Sequence, residues 1–521
     1  MKYDYIVIGA GSSGCAVASR LSEDGTTTVL LVEAGPSDTD PSIHVPAAFP
    51  TLFKTPLDWD YSSTEQTGLN GRQLYMPRGK VYGGSSSINA MIYQRGNPAC
   101  YDGWNAGGVT GWGWKDVLPY FKRLENYERG ASEFHGVGGP LNVADLRDPN
   151  PLTVAFVEAA IEQGFPYNPD FNDGEQEGFG LYQVTQKNGM RASASVSYLQ
   201  PAMTRTNLTI QGNALTRRLL IEEGRCTGIV YELDGKEQIA EARKEVVVCA
   251  GAFGSPHLLM LSGIGPKAHL ESHGIKVVKD LSGVGQNLQD HYMAPVAYAC
   301  TEPVSLAGAS DPSQLEKLSH GMGLLTSNIG EAGGFVTVTE GSAAPDLQFH
   351  FAPAFFVLDG SGNPTGHGFT LMPGVVGTKS KGQVTLSSND PTRKPNVDPG
   401  CLNDEHDIDI IVAGLKIARR ILNSEAMAPF RGEEVLPGPA VQSDEALREF
   451  VRNYTQTIYH PVGTCKMGFD AMAVVDHELK VHGIKGLRVA DASIMPAIIN
   501  ANTNAPSIMI GEKCADMIRM A

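Results

Sequence analysis

The stretch from Asp4 to Pro36, "DYIVIGAGSSGCAVASRLSEDGTTTVLLVEAGP", constrains the fold more than any other part of the chain. Residues 5–8 form a short apolar run typical of a buried strand, and small and apolar residues at helical spacing follow from Cys15. Between them Gly9, Gly11 and Gly14 complete a GxGxxG pattern, with Ser12 and Ser13 inside it. Glycine at these positions permits a tight turn, lets the backbone approach a pyrophosphate, and packs helix against strand. The pattern predicts a strand, turn and helix that bind a dinucleotide.

A second predicted strand, residues 28–32, ends in Glu33, which is followed by Ala34. A carboxylate at this point accepts hydrogen bonds from ribose hydroxyls and repels a 2′-phosphate. The expected ligand therefore contains ADP-ribose without that phosphate. The motif does not choose between NAD and FAD.

Three further stretches bear on the architecture. "MPRGKVYGGSSSINAMIYQRG" (76–96) offers glycines and serines that could wrap a polar ligand, or it is a long surface loop. Residues 244–265 and 486–496 again read as a buried strand and a turn, the second with Asp491 in the turn. Strand-to-turn units so far apart predict one sheet assembled from separate segments.

Composition limits the partners. A chain of 521 residues is expected to form two lobes. The net charge of -16, without a Lys/Arg-rich block, repels a nucleic-acid backbone, so no nucleic-acid partner is expected. The cysteines lack metal-binding spacing, so no metal is expected. No apolar stretch is long enough for a transmembrane helix. We expect a cytoplasmic protein, with peripheral contact at the inner face of the membrane as the alternative.

Several motifs resemble the glucose-methanol-choline (GMC) family of FAD-dependent oxidoreductases. They include the N-terminal fingerprint, "RGKVYGGSSSINAMIYQRG", "VGQNLQDH", "YHPVGTCKMG" and "NANTNAPSIM". The resemblance implies an α/β (α+β overall) fold, with a Rossmann-like FAD-binding lobe assembled from discontinuous segments and a substrate lobe with a sheet and flanking helices. Residues 1–150, 201–291 and 456–521 are assigned to the FAD lobe. Residues 151–200 and 292–455 are assigned to the substrate lobe.

The resemblance also assigns cofactor contacts. FAD is expected to be non-covalent, because Ile88 stands where some members carry a histidine that tethers the flavin. The residues expected to contact FAD are Gly9, Gly11, Ser12, Ser13, Gly14, Glu33, Ala34, Val81, Gly84, Asn89, Thr216, Asp491, Ala492 and Pro506.

The histidine in "TIYHPVGTCKMG", His460, has three interpretations. From its neighbours alone it is most simply a buried core or turn residue, and no second ligand at suitable spacing supports a metal site. The resemblance implies instead that His460 is the catalytic base and that Asn504 is its partner. Tyr459 is a tentative substrate contact.

Glu331, in "TSNIGEAGGF", is the second tentative substrate residue. It stands where choline-oxidising members use a carboxylate, but such a loop residue is usually solvated, and the adjacent Ile329 and Gly330 provide no aromatic cage. Choline is not favoured. The photodecarboxylase branch carries a cysteine and an arginine on or near Gly330 and His350, so that activity is disfavoured as well.

The predicted activity is oxidation of a primary alcohol to the aldehyde. His460 takes the proton, flavin N5 takes the hydride, and a quinone or another acceptor takes the electrons. The alternatives are an oxidase that uses oxygen on aryl or hydroxymethyl alcohols, a choline dehydrogenase, and a non-redox flavin-containing lyase.

Two amphipathic helices are predicted in the substrate lobe, in residues 403–423 and after Ser443 as N-cap. Their apolar stripes are core faces. Residues 301–323 form either a lid over the site or an ordinary surface loop.

Overall fold

The computed structural model describes residues 1–360 and 362–520. A seven-stranded sheet forms the first half of the fold, and five of its strands run parallel. These parallel strands are Leu208–Gln211, Val29–Val32, Lys2–Ile8, Lys236–Val248 and Leu487–Val489. Arg225–Leu233 and Ala214–Glu222 extend the sheet in antiparallel pairing. The predicted assembly of one sheet from distant segments is confirmed.

Helix Ser12–Leu21 packs against strands Lys2–Ile8 and Val29–Val32, and helix Gly251–Leu261 packs against strand Ala214–Glu222. Helix Asn504–Met520 packs on helix Ser12–Leu21. These last two helices pack so closely that a Cβ on Gly511 would lie 2.5 Å from the Ser13 carbonyl oxygen. The strand, turn and helix predicted from the N-terminal pattern are confirmed.

An eight-stranded, antiparallel sheet forms the second half. Its strands in order are Arg431–Leu436, Val296–Cys300, Gly368–Val375, Leu347–Ala352, Ala332–Val336 and Gly178–Leu181. Tyr292–Met293 also pairs with Gly368–Val375, and Gln456–Thr457 pairs with Tyr292–Met293. Helices Pro151–Glu162 and Glu405–Leu422 pack against it, and Asp444–Tyr454 packs on Glu405–Leu422.

Both predicted amphipathic helices are present. Asp404 caps the first by accepting from the His406 N–H, and Ser443 caps the second by accepting from the Ala446 N–H. The apolar stripe of the first helix is buried, so it is a core face as predicted. The carboxylates in both first turns favour these helix starts.

Shorter elements complete the chain. The remaining α-helices among the described residues are Pro41–His44, Pro98–Ala106, Trp114–Leu124, Gln200–Ala202, Lys267–Ser272 and Ser313–Ser319. Small paired strands are Tyr61–Ser62 with Tyr75–Met76, Glu125–Tyr127 with Leu141–Val143, Gln186–Lys187 with Met190–Arg191, Ile264–Gly265 with Lys279–Asp280, and Gln286–Leu288, Gly382–Thr385 and Asn396–Asp398 together.

The division into two lobes stays a prediction, although each sheet draws its strands from a consistent set of segments. Strands of the seven-stranded sheet come from the three segments assigned to the FAD lobe. Gln456–Thr457 departs from the proposed division, because it joins the eight-stranded sheet. Among the helices within residues 1–360 and 362–520, none has the length and apolar character that crossing a membrane requires.

Candidate active site

One cavity of about 340 Å³ connects the carboxyl edge of the parallel strands to the inner face of the eight-stranded sheet. At one end lie Gly9, Gly11, Ser12 and Ser13, and at the other lie His350 and His460. Residues predicted for cofactor binding and for catalysis therefore share one site.

The glycine turn is as compact as the sequence predicts. Gly9 has φ +96°, and a Cβ there would lie 2.5 Å from the Cys249 carbonyl oxygen. A Cβ on Gly14 would meet the Gly9 carbonyl oxygen at 1.9 Å, and one on Gly84 would meet the Gly11 Cα at 2.7 Å. Larger residues would push the helix off the strand and the second glycine-rich stretch off the turn. Gly14 serves this packing and does not line the cavity.

Glu33 lies at the cavity wall beside Ala34. Its carboxylate accepts from the Ala10 N–H at 2.8 Å and from the Gly35 N–H at 2.9 Å. Burial raises the pKa of Glu33 although these bonds oppose the shift. The carboxylate keeps acceptor capacity for a ligand hydroxyl.

Asp491 and Ala492 line the cavity after the last parallel strand. The Asp491 carboxylate accepts from the Gly251 N–H at 2.9 Å and the Ser255 hydroxyl at 2.5 Å. Burial raises the pKa of Asp491. The carboxylate is thus fixed at the start of helix Gly251–Leu261.

Besides His350, two cavity-lining residues each carry a buried polar atom that needs a partner. Thr216 Oγ1 and His257 Nε2 are buried, and within the described part of the chain neither has a hydrogen-bond partner. A ligand with polar atoms along its length, such as FAD, could bond them. The glycine turn and the two carboxylates fit the phosphates and hydroxyls of the same group.

The second glycine-rich stretch reaches the cavity through Gly84, Ile88 and Asn89. Besides Gly14, two predicted contacts, Val81 and Pro506, do not reach the cavity. Val81 packs instead with Ile43, Leu52 and Ile88, and Pro506 is buried in the first turn of helix Asn504–Met520. For their side chains the predicted FAD contact is corrected to packing beside the site.

Asp290 fixes the backbone before His460. Its carboxylate accepts from the His460 N–H at 2.8 Å and the Thr457 hydroxyl at 2.5 Å. Burial raises the pKa of Asp290 to about 6. Tyr459, between these residues, has φ +66°, an uncommon conformation that turns the chain so that His460 faces the cavity.

The His460 ring is buried and bonded at both nitrogens. Nδ1 lies 3.0 Å from His291 Nδ1, and Nε2 lies 3.2 Å from Asn502 Nδ2. Burial, helped by His291, His350 and Arg78, holds the pKa of His460 well below its ordinary value. The imidazole is neutral at neutral pH, as a proton acceptor must be.

Asn502, and not Asn504, is the asparagine in contact with His460. The predicted pairing with Asn504 is corrected because helix Asn504–Met520 begins at Asn504, whose Oδ1 accepts from the Ser12 hydroxyl at 2.8 Å. Asn502 lies in the preceding segment, beside the histidine. Both asparagines line the cavity.

Glu331 does not line the cavity. Its buried carboxylate accepts from the Asn150 N–H at 2.9 Å, the Thr153 hydroxyl at 2.6 Å and the Ser327 hydroxyl at 2.5 Å. The tentative assignment as a substrate contact is corrected, since two of these bonds hold the start of helix Pro151–Glu162 and the third holds Ser327, four residues before Glu331. The alternative of a solvated loop residue is equally wrong, because Glu331 is 1% exposed.

Tyr459 lines the cavity, but its hydroxyl donates to Asp359. Burial raises the pKa of Tyr459 well above its ordinary value and that of Asp359 to about 6. Its ring packs edge-on against Phe53, 5.9 Å between centroids. Tyr459 therefore offers a ligand its ring rather than its hydroxyl.

The wall near His460 is mostly apolar. A buried cluster of Met293, Ala352, Phe356, Met372 and Ile458, with Ile329 packed on it, borders the cavity there. His350 is the polar exception: both ring nitrogens are buried and, among the described residues, unpartnered. Burial lowers its pKa to about 4.

Residues 301–323 supply no residue to the cavity wall. This segment is tied elsewhere: the Val304 carbonyl accepts from the Asn150 amide, and the Gly323 N–H donates to Asp148. Of the two interpretations, an ordinary surface segment agrees with these contacts.

Sequence reasoning missed Asn502, His291 and the methionines of the wall. His291 stood in the quoted motif "VGQNLQDH", directly after Asp290, so its position was visible although its contact with His460 was not. Met293 and Met372 carry no sequence signal, because an isolated methionine in a strand is usually core.

Comparison with known proteins agrees with this geometry. Models of the GMC oxidoreductase family match residues 3–293 and 378–511. This chain belongs to the GMC oxidoreductase family. The family resemblance expected from the sequence is confirmed, and the members of this family use FAD.

Relatives within the GMC family cover nearly the whole chain. An alcohol dehydrogenase (acceptor) of Pseudomonas putida is 44% identical over 99% of this chain and 95% of its own. An oxygen-dependent choline dehydrogenase of Brucella canis is 43% identical, covering 99% and 96%. The structure of pyridoxine 4-oxidase from "Mesorbium loti" superposes with TM-score 0.92 at 33% identity, covering 100% and 99%.

Across residues 1–360 and 362–520, no group of three or more His, Cys, Asp and Glu side chains is arranged to hold a metal ion.

Proposed function

We propose that this GMC oxidoreductase oxidises a neutral primary alcohol to the aldehyde, with non-covalent FAD as its cofactor. The observation that carries the proposal is that a neutral, buried His460, bonded to an asparagine amide, shares one cavity with the glycine turn. A base, a hydrogen-bond donor and a dinucleotide site are the parts that alcohol oxidation needs.

His460 acts as the base in this proposal. His460 Nε2 and Asn502 Nδ2 lie 3.2 Å apart. The alcohol oxygen replaces this contact and comes within hydrogen-bond distance of both nitrogens. The hydroxyl donates to Nε2 and the oxygen accepts from the asparagine amide. As the proton moves to His460, the amide stabilises the charge that develops on the oxygen. FAD, when bound, supplies the hydride acceptor at flavin N5.

Glycines 9, 11 and 84, Glu33 and Asp491 are the residues that would hold FAD, with Thr216 near the adenine. Non-covalent binding is supported by Ile88, an apolar side chain on the cavity wall that cannot form a bond to the flavin. Asn89 and Ala492 also face the space available to the cofactor.

The apolar wall favours an uncharged alcohol over choline. Met293, Met372, Ile458 and Phe356 can pack against an alkyl or aryl group. Choline would bring a permanent cation into this space. Among the described lining residues the carboxylates are Glu33 and Asp491, which line the other end of the cavity. The Glu331 carboxylate does not line the cavity and is held by its own three donors.

A quinone or another carrier is the proposed electron acceptor. The name of the Pseudomonas putida relative, alcohol dehydrogenase (acceptor), supports a partner other than oxygen. Oxygen, as in the pyridoxine 4-oxidase fold relative, is the outcome that the experiment must separate.

The test is anaerobic mixing of the purified, FAD-loaded protein with alkanols, benzyl alcohol, hydroxymethyl-heteroaromatics and choline. We expect the neutral alcohols to bleach the flavin absorbance and choline to leave it unchanged. Admitting air should restore the colour slowly, and a quinone should restore it quickly. A yellow protein that no alcohol bleaches would instead support a non-redox lyase.

Substitution of the base completes the test. His460→Ala should leave a folded, yellow protein whose flavin is reduced about 10²-fold more slowly or worse, since a positioned base contributes at least that much. His320→Ala, on the exposed surface, is the matched control and should reduce at the normal rate. Equal rates in both variants would remove His460 from the mechanism.

A further inference from the structure

The orientation of the Asn502 amide decides which of its atoms meets His460. If the NH2 group faces Nε2, the amide donates and Nε2 must carry a lone pair; if the oxygen faces it, Nε2 must carry the proton. Only the first arrangement leaves His460 able to take a proton at the atom that faces Asn502. A third group must therefore fix the amide.

A fixed acceptor behind the site determines the direction of the chain of bonds. The Tyr182 hydroxyl lies 2.7 Å from the Phe349 carbonyl oxygen. A carbonyl oxygen can only accept a hydrogen bond, so the Tyr182 hydroxyl donates its single proton to it. The Tyr182 oxygen is left as an acceptor for its other neighbour.

That neighbour is Gln348, whose Nε2 lies 3.3 Å from the Tyr182 oxygen and 3.0 Å from Asn502 Oδ1. With Nε2 placed there, the two N–H groups of Gln348 donate to both oxygens. In the reverse orientation Gln348 Oε1 would face the Tyr182 oxygen, which has no proton left to donate to it. Gln348 Oε1 is buried and has no partner among the described residues, so this side chain contributes only its donors here.

We propose that Gln348, oriented by Tyr182, is a positioning residue that turns the NH2 group of Asn502 toward His460. Its donor occupies Asn502 Oδ1, so Nδ2 faces His460 Nε2 at 3.2 Å. His460 is then held with its proton on Nδ1, donated to His291 Nδ1 at 3.0 Å, and with its Nε2 lone pair free for the alcohol. The catalytic consequence of this inference rests on the proposed alcohol oxidation at the same site.

Gly333 makes room for this arrangement. It lies on the strand paired with Phe349 and His350, and a Cβ there would come within 2.2 Å of the Tyr182 hydroxyl oxygen and 1.9 Å of the Phe349 carbonyl oxygen. A side chain at position 333 would displace the hydroxyl from its carbonyl. The "EAGGF" motif thus bears on the site through its glycine.

Gln348 itself does not line the cavity, although His350, two residues on along the same strand, does. Its loss should therefore change the rate of flavin reduction and leave alcohol binding nearly unchanged. This separates positioning from substrate contact.

The first measurement is the limiting rate of anaerobic flavin reduction in Gln348→Met, Tyr182→Phe and the double variant, all near-isosteric. Gln348→Met should lower the rate about 10-fold or more, with alcohol Kd within about twofold of normal. Tyr182→Phe should have a smaller effect. The double variant should match Gln348→Met, because Tyr182 acts through Gln348. If the rate losses of the two single variants multiplied in the double variant, the proposal would be overturned.

The matched control is Gln66→Met. Gln66 is also a buried glutamine with hydrogen bonds from both ends of its amide, to Asp398 and from the Cys401 N–H, and it does not line the cavity. It should lose stability as Gln348→Met does and keep the normal reduction rate. A fall in rate equal to that of Gln348→Met would assign the effect to general destabilisation and overturn the proposal.

The second measurement does not depend on turnover. In FAD-loaded protein with ¹⁵N-labelled histidine, the His460 signals, assigned by their loss in His460→Asn, should show an unprotonated Nε2 and a protonated Nδ1. Gln348→Met should introduce the other tautomer. An unchanged tautomer in that variant would overturn the proposal even if alcohol bleaches the flavin. A changed tautomer in a protein that no alcohol reduces would uphold the positioning role and reject the proposed function.

Discussion

His460 is neutral before any substrate arrives, because its surroundings disfavour the imidazolium. It is buried, two further histidines lie near it, and the half-buried Arg78, whose guanidinium donates to the Tyr459 carbonyl at 2.5 Å, adds a positive charge. These groups act in the same direction on the pKa of His460. The proton taken from the alcohol therefore enters a site that does not stabilise it strongly, so proton transfer and hydride removal are expected to be closely linked.

The pH dependence of flavin reduction follows from this. A base with a lowered pKa is in its active form at all pH values above that pKa. The ratio of limiting rate to alcohol Kd should thus stay level through neutral pH and fall only in acid, well below the ordinary histidine pKa of about 6.5. Stopped-flow reduction in buffers across this range measures it. A half-maximal point near pH 6.5 or above would show that His460 titrates normally and would contradict the assigned cause.

Substitutions of Asn502 and Asn504 are expected to have different effects. Asn502→Leu removes the donor to the alcohol oxygen and should slow flavin reduction about 10²- to 10³-fold while FAD stays bound. Asn504→Leu removes the acceptor for the Ser12 hydroxyl beside the glycine turn and should mainly weaken FAD retention. The measurements are reduction rate and flavin content after gel filtration. If Asn504→Leu alone slowed reduction with FAD retained, the pairing with Asn502 would be refuted.

At the scale of elements, Glu331 joins two segments that are distant in sequence. Its carboxylate bonds the N-cap residue Asn150 and Thr153 at the start of helix Pro151–Glu162, and Ser327 on its own side. Burial raises the pKa of Glu331, and the hydrogen bonds from the three donors oppose this shift. These bonds stabilise the carboxylate in its buried site.

Glu331→Gln should therefore destabilise the protein without altering substrate choice. Leaving buried donors poorly satisfied is expected to cost about 1–3 kcal/mol in the free energy of unfolding. Urea unfolding at fixed FAD concentration measures this, with the exposed Glu340→Gln as the neutral control. The preference for a neutral alcohol over choline should be unchanged. A changed preference would return Glu331 to the substrate site.

Local patterns predicted these elements well where the cause is local. The glycine turn, the caps Asp404 and Ser443, and the buried stripe of helix Glu405–Leu422 each depend on residues within a few positions. The choice between Asn502 and Asn504 does not, because it depends on where a helix starts relative to His460. Two of the partners of Glu331, Asn150 and Thr153, lie 181 and 178 residues away in sequence, so no local pattern indicates them.

At the scale of the molecule, sequence reasoning predicted the sheet whose strands carry a nucleotide-binding pattern and was less informative about the other. Parallel strands buried on both faces read as apolar runs followed by turns, as in residues 5–8 and 246–248. The eight-stranded sheet joins strands from Gly178–Leu181 to Gln456–Thr457, and its order follows from long-range packing. The apolar wall near His460 and the contact between Gln348 and Asn502 both depend on that strand order, so no local sequence pattern predicts them.

A buried cluster away from the cavity ties residues 95–170 together. The His135 ring lies between Glu125 and Asp170, with both nitrogens 3.2 Å from a carboxylate oxygen, and it stacks on Tyr127 at 3.8 Å between centroids. Arg95 pairs with the same Glu125 at 2.6 Å. Burial lowers the pKa of His135, but the close contacts with the Asp170 and Glu125 carboxylates outweigh it, so the net shift is upward.

A raised pKa in the folded state predicts the sign of the pH effect. The stabilisation from His135 is fully present below the unfolded pKa of about 6.5 and is lost as pH rises through the higher folded value. The difference in unfolding free energy between the natural protein and His135→Gln should thus be largest near pH 6 and shrink toward pH 9. Urea unfolding with FAD in fixed excess measures it, and His320→Gln on the exposed surface should show a difference that does not change with pH. A His135 difference that grew with pH would mean that the buried ring is neutral and that Arg95 alone pairs with the Glu125 carboxylate.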